Sequence, residues 1–270
     1  MRALIDGDIL RYEIGFAAET AWKAVTGDEA AIPPFDFVRD MLNQRIGYIK
    51  GAAGAHHHTI FVTEGETFRF DIAKKKPYKG NRVENKPWHF DNLTMYLKDI
   101  AKSQIVTFIE ADDAMAIEHL RPKAEEEEGT IICSRDKDLR QVPGWFFSWE
   151  LGRQPSYGPV HVKPEGLLNM EMEKKKLSGN GYAFFCAQVL MGDPTDNIPG
   201  LPKMGPVGAY DLLKGLESPE AMEDILVQEY RRVYPDNWES ELTEQAQLLW
   251  LVRRLNPDGS PELWRRGLYV

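Results

Sequence analysis

The chain has 270 residues, enough for one large domain or for a domain with a smaller appendage. Hydrophobic residues make up 43% and charged residues 28%, which excludes a disordered, collagen-like or coiled-coil chain. The net charge of −9, from 33 basic and 42 acidic residues, argues against a protein that coats nucleic acid indiscriminately, so the placement of charge matters more than its sum. No apolar run reaches the ~18 residues that span a bilayer, and Met1-Arg2-Ala3 leads directly into a strand-like run; a cytoplasmic protein without membrane contact is expected. The two cysteines, Cys133 and Cys186, are flanked by apolar residues and read as reduced buried thiols.

In chain order, short apolar runs alternate with amphipathic stretches through the first 150 residues, the pattern of an α/β fold with a parallel sheet. Ala3 to Ile5, Thr59 to Thr63, Ile105 to Ile109 and Thr130 to Cys133 read as buried strands, and Trp145 to Trp149 as a further one. Phe35, Val38, Leu42, Ile46 and Ile49 recur at helical spacing and predict a helix with one apolar stripe. After Gly158 the pattern turns helical: Tyr182 to Met191, Val207 to Leu213, a stripe from Met222 to Val233 and another from Leu242 to Leu255. The expected division is an α/β core over 1–165, with a basic arch at about 68–90, and a helical region over 166–270 with a hairpin at about 190–213. The runs Glu125 to Glu128 and Lys174 to Lys176 read as solvated, and His56 to His58 as an exposed loop.

Each of the first four strand-like runs ends in acid. Asp6 and Asp8 follow the first, Glu64 the second, Glu110, Asp112 and Asp113 the third, and Asp136 and Asp138 the fourth. In an open parallel sheet the carboxyl ends share one edge, where ligands bind, so these acids are expected to converge. Two carboxylates ~4 Å apart repel by about 4 kcal/mol at an effective dielectric of ~20, and such a cluster calls for cations. Oxygen-only donors select Mg²⁺ or Mn²⁺, and two such ions are best suited to in-line displacement at phosphorus, so a phosphate ester is the expected substrate. The bland alternative for Asp112 and Asp113 is capping of the following helix.

Arg69, Lys74, Lys75, Lys76, Tyr78, Lys79, Arg82 and Lys86, interleaved with Phe68, Phe70 and Trp88, combine cations for a phosphate backbone with rings for unstacked bases. Gly200, Lys203, Gly205 and Gly208 lie in a turn between two helices, where glycine lets backbone amides approach a phosphate of duplex DNA.

These motifs together resemble the 5′-nuclease superfamily: flap endonucleases, bacteriophage 5′ to 3′ exonucleases and the nuclease domain of DNA polymerase I. The residues that carry the resemblance are Ile5-Asp6-Gly7-Asp8, Tyr78-Lys79-Gly80-Asn81-Arg82, Glu110-Ala111-Asp112-Asp113, Ser134-Arg135-Asp136-Lys137-Asp138 and Gly192-Asp193-Pro194-Thr195-Asp196-Asn197, with the hairpin after them. The resemblance implies a PIN-like 5′-nuclease core, a helical arch and a C-terminal helix-hairpin-helix. It also implies that Asp6, Glu64, Glu110, Asp112, Asp113, Asp136, Asp138, Asp193 and Asp196 hold two Mg²⁺ or Mn²⁺ ions, with Asp6, Asp112 and Asp136 central. Lys79 and Arg82 would contact the scissile phosphate, K⁺ would bind at the hairpin, and the partner would be DNA with 5′ ends, duplex or flapped, bound by a monomer. Glu64 stands where the family usually has Asp, Lys203 replaces a common hairpin glycine, Val207 replaces a common lysine, and the helices after Leu216 match no family motif.

Two other readings compete with this one. Asp6-Gly7-Asp8 with Gly192-Asp193-x-x-Asp196 also resembles haloacid-dehalogenase-type phosphatases, but Leu10 stands where that family has Thr or Val, and Asp112 and Asp113 would have no use there. A catalytically inactive DNA-binding module has no need of the full set of acids.

Overall fold

The computed structural model describes residues 1–83, 85–100 and 103–269. Its fold is α/β, and the chain forms two compact units that each draw on several segments. One comprises Met1–Gly65, Glu84–Asp136 and Trp145–Val160; the other comprises Glu66–Val83, Lys137–Gly144 and His161–Val270. The division therefore differs from a single cut near residue 165, because most of the basic segment belongs with the helical unit.

The first unit is built on a six-stranded sheet. Its strands are β1 (Arg2–Asp6), β2 (His57–Thr67), β3 (Ser103–Phe108), β4 (Thr130–Cys133), β5 (Gly144–Ser148) and β6 (Tyr157–Val162), in the order β3-β2-β1-β4-β5-β6. β1 pairs in parallel with β2 and β4, and β4 with β5, so Ile5 sits between Ile60 and Cys133. Burial of successive residues, which point to opposite faces of the sheet, explains why β1 reads as an unbroken apolar run. α1 (Gly7–Thr26), α2 (Phe35–Ala52), α4 (Phe90–Asp99) and α5 (Ala111–Leu120) are the helices of this unit, numbered with α3 (Phe68–Ile72) of the other. Val38, Leu42, Ile46 and Ile49 of α2 face a core shared with Leu10 and Ile14 of α1 and Leu93 and Leu97 of α4, as the periodicity predicts. The strand expected at Ile105 to Ile109 is present as β3 but is only half-buried, because it lies at the sheet edge.

The second unit is wrapped around α6 (Gly181–Met191), which is buried on every side from Gly181 to Leu190. Tyr182, Phe185 and Leu190 pack with Tyr230 of α8 (Pro219–Val233), with Leu242 and Ala246 of α9 (Trp238–Leu249), and with Trp250 and Trp264. α7 (Pro206–Leu213) follows the predicted turn. Sequence periodicity missed the antiparallel hairpin of β7 (Leu167–Glu171) and β8 (Lys176–Asn180), as well as β6. The expected helical arch is also corrected: α3 is five residues long, and no helix occupies 73–89 among the described residues, with Glu84 lying outside them. Among the described residues no helix is long and apolar enough to cross a membrane.

The loop after α6 turns back on itself through Gly192 and Gly200. Their φ values are +77° and +61°; a Cβ would lie 2.3 Å from the Ile198 carbonyl oxygen at Gly192, and 2.3 Å from the Gly192 amide nitrogen at Gly200. Neither position admits a side chain without moving backbone. Gly192→Ala and Gly200→Ala should each lower stability by about 2 to 4 kcal/mol in urea denaturation followed by circular dichroism. A change below about 0.5 kcal/mol would show that this loop does not depend on the close approach.

Candidate active site

In the first unit the acids gather around the carboxyl end of β1. Asp6 is 5% exposed and caps α1, accepting from the Ile9 amide (3.2 Å) and from the Ser134 hydroxyl (2.8 Å). Ser134 in turn accepts from the Asp136 amide (2.9 Å), so one hydroxyl ties the ends of β1 and β4 together. Burial first, then the charges of Asp8 and Asp136, push the Asp6 carboxyl up to about 7, although both hydrogen bonds pull it down. Asp8 accepts from the Thr63 amide (3.0 Å) and pairs with Arg11, whose guanidinium stacks on Phe90 and donates to Thr94. Gly7 makes this arrangement possible, since a Cβ there would lie 2.7 Å from the Phe61 carbonyl oxygen on β2.

Thr63 links a third element: its hydroxyl accepts from the Ala111 amide (2.8 Å) at the start of α5. Glu110, Asp112 and Asp113 follow β3 as expected, but their roles differ. Asp113 is fully buried and forms a capping box with Glu110, accepting from the Glu110 amide (3.0 Å), so the capping alternative holds for this pair. Asp112 is half-buried, its Oδ1 accepting from the Asp113 amide (2.8 Å). Glu64 does not join the acids. It is exposed and paired with Lys98, and alternation along β2 puts it on the face opposite Thr63.

The second unit holds a separate set. Asp138 accepts from Lys137 (2.9 Å) and from Gln188 (2.7 Å), and Asp193 pairs with the same Lys137 while accepting from the Thr195 amide (2.8 Å). Burial raises the Asp193 carboxyl, but Lys137 and the Thr195 hydrogen bonds more than offset it and hold Asp193 below the usual carboxylate range. Asp196 pairs with Arg82 and accepts from the Tyr78 hydroxyl (3.2 Å). The whole Tyr78 to Arg82 turn is docked on this loop: Lys79 donates its amide to the Asp196 carbonyl (3.0 Å), and Asn81 donates to Pro194 (2.7 Å).

The expected single cluster is therefore not formed: among the described residues no three His, Cys, Asp or Glu side chains stand close enough to hold one ion. Their chemistry nevertheless suits a hard divalent cation. Asp6, Asp8 and Asp136 supply oxygen donors alone, and the Asp6 carboxyl is raised mainly by its burial, with the charges of Asp8 and Asp136 adding to it.

Three of the expected DNA contacts, Arg69, Tyr78 and Gly200, are interior residues. Arg69 is 1% exposed and donates to the carbonyls of Leu248 (3.1 Å) and Trp250 (2.8 Å), while Tyr78 is 4% exposed. Lys75 is held by Glu241 and Tyr234. Lys74, Lys76, Lys86 and Trp88 are exposed, and Lys79 lies over the Tyr78 ring. In the hairpin, Gly200 is buried by its packing on Gly192; Gly205 is extended, with open space where a Cβ would be, and Gly208 has Met204 as its close neighbour. Lys203 is exposed, with a φ of +62°. Sequence reasoning missed Ser134 and Thr63 as parts of the site. A hydroxyl two residues before Asp136 and one directly before Glu64 were the available signals.

No family model matches the chain. It is 27% identical over 258 residues to DNA polymerase I of Chloroflexus aurantiacus, covering 93% of this chain and 26% of the polymerase. It is 32% identical over 160 residues to the 5′-3′ exonuclease of Buchnera aphidicola subsp. Schizaphis graminum, covering 57% of this chain and 51% of that one. The chain thus spans about a quarter of the first relative and half of the second. A crystal structure of bacteriophage T5 flap endonuclease with DNA and metal ions superposes with a TM-score of 0.60 at 16% identity, covering 92% of this chain and 89% of that one. The bacteriophage T5 5′-exonuclease with bound zinc gives 0.56 at 18% identity, with the same coverage. The resemblance to the 5′-nuclease superfamily holds in both sequence and fold.

If Arg69 belongs to the fold rather than to a DNA surface, Arg69→Met should lower stability by about 2 to 4 kcal/mol by leaving buried carbonyls without a donor. DNA affinity of the folded variant, measured well below its melting temperature, should stay within twofold of wild type. A folded variant of unchanged stability but with no remaining DNA affinity would reverse the assignment.

Proposed function

We propose that this chain is a metal-dependent 5′ to 3′ exodeoxyribonuclease with structure-specific flap endonuclease activity, hydrolysing DNA phosphodiesters as a cytoplasmic monomer. The observation that carries this reading is the buried Asp6, flanked by Asp8 and Asp136 at the carboxyl end of the central strand. The names of the relatives, and the DNA and metal ions of the T5 complex, support the same chemistry.

Asp6, Asp112 and Asp136 in the first unit, and Asp138, Asp193 and Asp196 in the second, are the residues that would hold Mg²⁺ or Mn²⁺. Bound there, such ions would activate water and stabilise the leaving oxygen of an in-line displacement. The chain's own contribution is to fix the donors. Ser134 orients Asp6 relative to Asp136, and Thr63 holds Asp8 and the start of α5. Lys79 and Arg82 would contact the scissile phosphate, for which Arg82 would leave its ion pair with Asp196. Lys74, Lys76 and Lys86 would follow the DNA backbone, with Trp88 stacking on unpaired bases. The turn around Lys203 and Gly205 would take duplex phosphates, with K⁺ as its bound cation. A phosphatase reading is disfavoured because Leu10 stands where that family has Thr or Val and because it leaves Asp112 without a role.

The test is digestion of 5′-labelled duplex, gapped and flapped DNA. Cleavage should require Mg²⁺ or Mn²⁺ and stop with a chelator. Asp112→Asn and Asp136→Asn should each reduce the single-turnover rate by about 100-fold or more with DNA affinity largely kept. Near-normal turnover by Asp136→Asn at saturating Mg²⁺ would refute the metal assignment.

The hairpin is tested separately by Gly205→Val. A Cβ there meets nothing within 4 Å, and circular dichroism with a melting curve confirms that the variant is folded before binding is compared. Duplex affinity should fall by about tenfold whatever the sequence, and the slope of log K against log salt should become shallower by about 0.9 for each phosphate that the hairpin no longer neutralises. Unchanged affinity and slope would make the hairpin a simple connection.

A further inference from the structure

Asp8 in the first set and the pair Asp138 and Asp193 in the second carry different counter-ions. Arg11, which neutralises Asp8, is a fixed one: its side chain is 10% exposed, stacked on Phe90 at 4.7 Å and bonded to Thr94. Lys137, which lies between Asp138 and Asp193, is 47% exposed. Its four-carbon stem can carry the ammonium into water at little desolvation cost.

The carboxylates it bridges are held without it. Asp138 accepts from Gln188, whose own amide oxygen accepts from Gln141 (2.8 Å), and both glutamines are fully buried. Asp193 accepts from the Thr195 amide and sits in a loop pinned by reciprocal Asp193 and Ile198 backbone bonds (2.9 Å each). Neutral donors therefore orient both acids, while the cation placed between them is the most easily displaced part of the arrangement.

We propose that Lys137 is a displaceable internal counter-ion, its ammonium taking the position between Asp138 and Asp193 that a divalent ion bound by these two acids would need. This rests on the metal-dependent reading above. A dication must then compete with a tethered monocation, which makes this ion the weaker of two and gives the protein a nuclease centre that fills only when metal is plentiful. Between bindings, the ammonium offsets the charge of the two acids that the neutral donors hold in place.

Mn²⁺ binding to the full chain without DNA, measured by electron paramagnetic resonance and calorimetry, tests this directly. Lys137→Met keeps the stem and removes the charge, and should tighten the weaker Mn²⁺ site by about tenfold or more while leaving the stronger one unchanged. Lys137→Arg should behave as wild type, and adding Asp193→Asn to Lys137→Met should abolish the tightened site. Lys137→Ala serves the same comparison if the methionine variant melts lower than wild type. Equal or weaker Mn²⁺ binding by folded Lys137→Met or Lys137→Ala would overturn the proposal. If one Mn²⁺ binds, disappears in Asp136→Asn and is insensitive to Asp193→Asn, the metal reading survives and the counter-ion role falls. If no Mn²⁺ binds to any form, both fall.

Discussion

Placing a carboxylate at the end of a buried central strand is the constraint around which the first unit is arranged. Asp6 is nearly inaccessible, and ionised carboxyl groups are costly to bury unless hydrogen bonds or cations offset the missing water. The fold answers with neutral donors, the Ile9 amide at the start of α1 and the Ser134 hydroxyl at the end of β4. The Ile9 donor is local, supplied as the chain enters α1, whereas the Ser134 donor follows β4 and reaches Asp6 only when β4 is paired in register with β1. Gly7 is the steric side of the same constraint, since α1 leaves β1 directly against the backbone of β2.

Charge compensation takes both buried and solvent-exposed forms. Arg11 on Asp8 and Arg69 on the carbonyls of Leu248 and Trp250 are buried arginines with several fixed contacts, whereas Arg82 on Asp196 is half-exposed. Where the partner is a lysine, as with Lys137 on Asp138 and Asp193 or Lys98 on Glu64, it remains partly in solvent. The planar guanidinium loses less freedom per hydrogen bond formed and is less strongly hydrated, so it suits the interior, while the ammonium suits contacts that must be broken.

Strands and helices with one strong signal were legible in the sequence. β1 and β4 are short β-branched runs, and α2 has a clean stripe of four buried aliphatics. The β7 and β8 hairpin was not, because its alternation is carried by half-buried residues such as Leu168 and Leu177 beside a lysine run that reads as solvated. At the site, the acids after β1 and β4 were legible from their position alone. Glu64 was misread because a strand changes face with every residue: the acid is conspicuous in sequence, but its neighbour Thr63 is the one that turns to the site. Arg69 was misread because composition treats all cations in a basic segment alike, whereas burial depends on the chain after α9, which is remote in sequence. Asp113 shows the converse, a motif acid whose local capping role was equally visible in the spacing.

The glycines separate fold from contact in the same physical terms. Gly192 and Gly200 are packed against each other's backbone in the left-handed region, so the protein itself accounts for the absence of a side chain. Gly205 has no such account. Its backbone is extended, which any residue adopts, and the volume a Cβ would fill is open. It stands at the N-cap of α7, where the first amides of a helix are without intrahelical acceptors and where another residue would commonly supply a capping oxygen. Within the protein, then, Gly205 is permitted by the fold and not required by it, whereas at Gly192 and Gly200 the backbone of the loop itself excludes a side chain.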